Sequence, residues 1–173
     1  MNRRAVTTDA ELANLLDELV SGKTIDWDSF YSDPPAQAPF VCDRPDENLV
    51  AWANTSAISP SRCLELGCGN GRNAVWLARN GWSVTAVDAS DVAIQKAKEL
   101  AAELAVEVTW QTASIFDVTV SEGSFGLVYD SGCFHHLAPH RRVHYRDLVG
   151  RALGRGVAEP AVEPLLCRRG PDR

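Results

Sequence analysis

The stretch "CLELGCGNGRNAVWLARNGWSVTAVD", Cys63 to Asp88, places three glycines within five residues and ends on a carboxylate. "RCLEL" before the glycines and "SVTAVD" near the end are short apolar runs, and residues 72–80 between them, with Val75, Trp76 and Leu77, read as a helix. A strand, a glycine turn, a helix and a second strand form the core of a βαβ unit. In an open α/β sheet, ligands sit beyond the carboxyl ends of the strands, where this turn lies. Gly67, Gly69 and Gly71 have no Cβ, so the backbone there tolerates positive φ and approaches a ligand closely. Asp88 ends the second strand, where a carboxylate can accept both hydroxyl protons of a ribose. A charge-assisted hydrogen bond of that kind contributes roughly 1.5–3 kcal/mol.

Working outward, the alternation continues. Residues 90–104 read as a helix with Ile94, Ala97, Ala101 and Leu104 on one face and Ser90 or Asp91 at its cap. "VEVTWQTA" is a third strand, "FGLVYD" a fourth, and "PHRRVHYRDLVGRAL" a helix. Apolar strands alternating with helices predict a parallel sheet covered on both faces, a doubly wound Rossmann-like α/β fold. Upstream, Leu12, Leu15, Leu16 and Leu19 predict an amphipathic helix, with Thr8 at its start and Gly22 at its end. The segment "TIDWDSFYSDPPAQAPFVCDRPDE" holds four of the nine prolines and reads as a loop. Its Trp27, Phe30, Tyr31 and Phe40 suit either a lid or a satellite hydrophobic cluster. "ENLVAWANT" reads as a short helix.

The totals bound the function classes. A chain of 173 residues with 45% apolar and 23% charged residues fits one ordinary globular domain. The net charge of −6 argues against nucleic-acid binding. That total conceals a switch, with −10 over residues 1–133 and +4 over 134–173. No apolar run reaches membrane-spanning length and no secretory leader is visible, so a cytoplasmic location is expected. Cys42, Cys63, Cys68, Cys133 and Cys167 form no Cys-x-x-Cys clamp, and free thiols are expected in place of a disulfide framework or a zinc site.

Spacing separates two nucleoside cofactor classes. A dinucleotide fingerprint starting at Gly67 requires glycine or alanine at position 72, which is Arg72; starting at Gly69 it meets Ala74, a poor match. The pattern present is Glu65-x-Gly67-x-Gly69-x-Gly71. With "VDAS", "SIFD" and "LVYDSGCFHHL" in register, it resembles motif I and its followers in the class I S-adenosylmethionine-dependent methyltransferases. The resemblance runs from about residue 24 to 153 and is nearest to the small-molecule group related to thiopurine and tellurite-resistance enzymes. It implies S-adenosylmethionine as cofactor, held by Gly67, Cys68, Gly69, Gly71 and Arg72, with Glu65 ordering the loop or reaching the cofactor amino group through water. Asp88 would hold the ribose, Ala89, Ile115 and Phe116 the adenine ring, and Asp117 the adenine amino group.

On the acceptor side the resemblance implies Asp130, bordering the methionine end, and a lid carrying Trp27 and Tyr31, with Phe134 nearby. His135 and His136 are adjacent, so at most one enters the pocket; His135 is the candidate to take a proton, although a histidine bonded to backbone at a helix start reads equally well. The Asn-Pro-Pro-Tyr signature of amide and base methylation is absent after the fourth strand. The expectation is methyl transfer to a small molecule, with no metal, by in-line displacement that needs alignment and exclusion of water. A non-catalytic relic of the fold is the second reading and a nicotinamide-dependent oxidoreductase the third.

The family sheet has seven strands in the order 3-2-1-4-5-7-6, of which four, 3-2-1-4, are recognisable. Half of the 20 residues from Gly154 onward are arginine, glycine or proline. Prolines do not fit a central ladder, so the fifth strand is expected not to form and the chain to be shortened or frame-shifted. The fourth strand would then be an open edge, a template for self-association. The division expected is residues 1–61 as helix and lid, 62–153 as cofactor-binding core and 154–173 as a tail.

Overall fold

The computed structural model describes residues 7–20, 25–34, 38, 41, 42, 44–55 and 57–154. Helices α1 (Asp9–Val20), α2 (Trp27–Ser32) and α3 (Glu47–Asn54) precede β1 (Arg62–Leu66), α4 (Arg72–Arg79), β2 (Ser83–Asp88) and α5 (Asp91–Glu103). Then follow β3 (Thr109–Thr112), β4 (Leu127–Tyr129), α6 (Cys133–His136), a 3-10 turn over Pro139–Arg141, and α7 (Arg142–Ala152). The four strands are parallel in the order β3-β2-β1-β4, as the sequence predicts.

Side-chain alternation along β1 divides the core. Cys63 points to the face covered by α3, α4 and α5, where it joins Leu49, Leu77, Val84 and Ile94. Leu64 and Leu66 point to the other face, against Tyr145, Leu148 and Ala152 of α7. Both faces are therefore covered, which is why β1 reads as an unbroken apolar run. The strands that flank this axis are shorter than the sequence suggests. Pairing of β3 begins only at Thr109, opposite Thr85, and β4 pairs over three residues with Cys63–Glu65. Beyond β1, β4 has no strand partner among the described residues.

Two upstream expectations need correction. The aromatic segment is not a continuous loop: Trp27–Ser32 is a helix, capped by Asp26, whose carboxylate accepts from Ser29 N–H at 3.1 Å. Six residues are too few to show a period in sequence. Helix α1 forms and is capped by Thr8, whose hydroxyl accepts from Glu11 N–H. Its leucine stripe, however, does not face the core. Leu12, Leu15 and Leu19 are exposed, Leu16 is half-buried and Ala13 is buried, because Asn14 and Asp17 dock the opposite side onto Arg141 and His140. A further short helix, α6, was not expected. The expectations for Gly22, for Phe40 and for residues 155–173, the unformed fifth strand included, lie outside the described residues.

Gly71 separates packing from binding. It caps α4 with φ +79°, and a Cβ there would lie 2.6 Å from the Ala97 Cβ and 2.8 Å from the Trp110 ring. The third glycine of the turn thus lets α4 pack against α5 and β3. Gly71→Ala is expected to destabilise the chain by roughly 2–4 kcal/mol, through left-handed backbone strain and overpacking; a urea midpoint unchanged from the parent would refute this role.

Candidate functional site

The parallel strands end on one side, and there a cavity of about 1480 Å³ opens above β1, β2 and β3. It exceeds the ~300–1,000 Å³ typical of a single small-ligand pocket. Gly67, Cys68, Gly69 and Arg72 line its floor, Asp88 and Ala89 one wall, and Ile115, Phe116 and Asp117 the next. Trp27 and Tyr31 of α2 form a cover, as do Asn14 and Asp17 of α1.

Asp88 is the anchor of this arrangement. Its side chain is almost wholly buried; one oxygen accepts from Gly69 N–H at 2.8 Å and the other from Ser90 N–H at 2.9 Å. Burial pushes its pKa above the usual carboxylate value, and the N–H groups of Ser90, Gly69 and Ala89 oppose that rise. Each carboxylate oxygen has a second lone pair, so Asp88 can still accept from a ligand.

The cover is fastened next to this anchor. Asp28 of α2 accepts from Ser90 Oγ at 2.6 Å and from Val92 N–H at 3.2 Å, joining α2 to the start of α5. Lys96 donates to the Tyr31 carbonyl. Tyr31 is buried, and a Cβ on Gly69 would lie 2.4 Å from its hydroxyl; a Cβ on Gly67 would lie 2.5 Å from that of Cys133. The two glycines therefore admit a tyrosine and a helix start against the turn. Farther out, Asp17 receives Arg141 Nε at 2.9 Å and pairs with His140 at 2.7 Å, and these bonds lower its pKa.

Glu65 does not line the cavity. It is buried two residues ahead of Gly67, on the α4 side of β1, bonded to Asn73, while its Oε2 has no hydrogen-bond partner. Burial raises its pKa to about 8, against the opposing effects of Asn73 and the Arg72 charge. Asn73 also accepts from Asp46 N–H at 2.8 Å, and Asp46 from Ser131 Oγ at 2.9 Å. Arg72 donates to the Arg44 carbonyl at 2.9 Å. These bonds tie the first turn of α4 to the start of α3 and the end of β4.

Three acceptor-side candidates lie outside the large cavity. Asp130 accepts from Gly132 N–H (2.8 Å), Phe134 N–H (3.0 Å) and Tyr145 Oη (2.8 Å), so its carboxylate holds the start of α6. Phe134 stacks edge-on against Tyr145 and lies under Arg142. His135 faces a separate small recess with Asp46 and Asn48, while His136 lines the cavity. The sequence could not choose between the histidines because α6 is too short to show its face. Asn73, Asp28 and Arg141 were missed for another reason: their partners are 27 to 124 residues away along the chain. Burial holds the Cys68 and Cys133 thiols well above their ordinary pKa. Among the described residues no group of three His, Cys, Asp or Glu side chains is arranged to hold a metal ion.

Glu65 sets a pH dependence. Because its folded pKa exceeds the unfolded one, the folded chain binds the proton more tightly, and stability falls as pH rises from about 4.5 through about 8. Glu65→Gln should remove most of that fall and stabilise the ligand-free chain above pH 8 by roughly 3–5 kcal/mol. Denaturant titrations across that range check it; parallel pH profiles for parent and variant would contradict it.

Comparison with known proteins places this geometry. Residues 63–156 match the model of a family described as a methyltransferase domain. The 2-heptyl-1-hydroxyquinolin-4(1H)-one methyltransferase of Mycobacteroides abscessus is 37% identical over 122 residues, covering 70% of this chain and 53% of that protein. A solved structure from work on the conversion of a disulfide bond into a thioacetal group during echinomycin biosynthesis superposes with a TM-score of 0.62 at 28% identity, over 82% of this chain and 56% of that one. The Burkholderia thailandensis 1,6-didemethyltoxoflavin-N1-methyltransferase, solved with its substrate and S-adenosylhomocysteine, shares the fold with a TM-score of 0.54 at 22% identity, over 88% of this chain and 62% of that one. The chain spans about half the length of the M. abscessus relative. The sheet order, the glycine turn against Asp88 and the matched segment agree: this chain belongs to the methyltransferase-domain family.

Proposed function

We propose that this chain is a methyltransferase that binds S-adenosylmethionine in the large cavity and methylates a small molecule. The observation that carries the reading is buried Asp88, fixed by Gly69 N–H and Ser90 N–H yet lining the cavity. The residues present fit the cofactor. Asp88 would take the ribose hydroxyls, Ala89, Ile115 and Phe116 the adenine faces, and Asp117 the adenine amino group. Gly67, Cys68 and Gly69, which line the cavity, would border the methionine portion. Glu65, buried beneath the turn and off the cavity, would order the glycine loop or reach the cofactor amino group only through water. When bound, the cofactor supplies an activated methyl group on a sulfonium. The protein's part is alignment and the exclusion of water, for which α1 and α2 already form a cover.

The acceptor reading draws on the relatives. The M. abscessus protein is named for a hydroxyquinolinone and the B. thailandensis protein for a toxoflavin precursor, both small ring compounds. Carried over, they support a small organic acceptor in place of nucleic acid. No helix among the described residues is long and apolar enough to cross a membrane; a cytoplasmic enzyme working on a dissolved acceptor is the simplest consistent reading. Among the described residues one side of β4 is unpaired, which leaves room for self-association that sedimentation would detect.

Calorimetry with S-adenosylhomocysteine tests the cofactor. The parent chain should bind it and NAD should give no heat. Asp88→Ala should weaken binding about 10–100-fold, or roughly 1.5–3 kcal/mol. Binding unchanged in that variant would remove Asp88 from the site. Labelled methyl transfer then separates an active enzyme from a relic that binds without turnover.

A further inference from the structure

We propose that His136 is the general base of the methyl transfer and that the acceptor is an aromatic ring carrying a weakly acidic hydroxyl. This rests on the cofactor reading above and extends it to the acceptor. Cys133 and His136 are three residues apart on α6 and share one face; both line the cavity, while Phe134 and His135 turn away. Cys133 packs on Gly67, which fixes this face of α6 against the glycine turn. His136 therefore stands at the end of the cavity nearest the proposed methionine portion.

The surroundings of His136 define a flat, largely apolar slot. The Trp27 ring meets His136 edge-on at 4.8 Å between centroids, and Tyr31, one turn along α2, tilts toward Trp27 at 6.3 Å. Ile25 and Leu137 line the same cavity. An aromatic acceptor is complementary to such walls, and Trp27 constrains the orientation of the imidazole.

Among the described residues two histidines line the cavity: His144, whose Nδ1 has no partner, stands edge-on to Phe116 at the proposed adenine side, which leaves His136 at the acceptor side. Among the described residues, neither ring nitrogen of His136 has a hydrogen-bond partner. Neighbouring carboxylates are committed: Asp130 to three donors, Asp28 to Ser90 and Val92, and Asp26 to Ser29. Across the cavity Asp17 is bound to Arg141 and His140, and Arg72 holds the Arg44 carbonyl. Burial keeps the Tyr31 hydroxyl and the Cys133 thiol protonated. His136 is partly exposed; its partial burial first and the adjacent His135 second lower the pKa, with Asp130 opposing. The shift favours the neutral imidazole, the form able to accept a proton.

In the step, the acceptor O–H proton moves to an imidazole nitrogen. The oxygen lone pair forms the new O–C bond while the methyl–sulfur bond of the sulfonium donor breaks and its electron pair stays on sulfur. The imidazolium then returns its proton to solvent.

The test compares His136→Gln and His135→Gln on two probes with S-adenosylmethionine as donor. 1-Naphthol must be deprotonated, whereas pentafluorophenol is already ionised at neutral pH. The parent should methylate both. His136→Gln should lose about 100-fold on 1-naphthol and little on pentafluorophenol, with His135→Gln altering neither. A readout independent of turnover is 4-nitrophenol bound to the S-adenosylhomocysteine complex at mildly acidic pH: the yellow phenolate band should grow with the parent and not with His136→Gln. Equal losses on both probes, the same effect from His135→Gln, or no transfer to either probe by a parent that binds S-adenosylhomocysteine would overturn the assignment. Failure of the parent to bind S-adenosylhomocysteine would instead overturn the cofactor reading, and the base with it. Unaltered S-adenosylhomocysteine binding by His136→Gln excludes misfolding as the cause of any loss.

Discussion

The hydrogen bond from Gly69 N–H to the Asp88 carboxylate joins the tips of β1 and β2 and organises the candidate site. Buried backbone N–H groups require partners, and a buried carboxylate requires donors. Here each meets the other's requirement while the acid remains at the cavity wall. The glycine turn is held by a group that also faces the cavity. Ser90 extends the link, donating its N–H to Asp88, capping α5 through Ala93 N–H and donating its hydroxyl to Asp28 of the cover.

This coupling makes the N-terminal segment part of the site rather than an appendage. Helix α2 is attached by Asp28 and by Lys96, and its Tyr31 occupies the space over Gly69 that a Cβ would otherwise claim. Helix α1 is attached differently, through half-exposed polar bonds from Asn14 and Asp17 to the turn before α7. Both attachments are polar bonds at the rim of the site, Asp17 to Arg141 and His140 for α1, and Asp28 to Ser90 and Val92 for α2.

The neighbouring polar groups divide into anchors and free functions. Asp130 and Asp46 accept from backbone and hydroxyl donors and set the geometry of α6 and α3. Among the described residues Glu65 Oε2, beneath the glycine turn, and His144 Nδ1, at the cavity wall, are buried without a hydrogen-bond partner. A carboxylate at a strand end is thus not by itself a sign of catalysis; Asp130 has the same sequence setting as Asp88 and a different task.

Local regularities in the sequence determined the parallel sheet, the long helices and the tip position of Asp88, while the strand order followed from the resemblance of its motifs to a known family. Period, glycine spacing and caps such as Ser90 act over a few residues and are visible without folding. The residues along the cavity floor were legible for the same reason. Tertiary structure alone decided that α2 is a helix over the turn, that the α1 leucines face outward, that Gly71 serves packing, and that His136 rather than His135 enters the cavity. Each of these depends on partners far apart in the chain or on the rotation of a four-residue helix. Neither long-range pairing nor the facing of so short an element leaves a periodic trace in the order of residues.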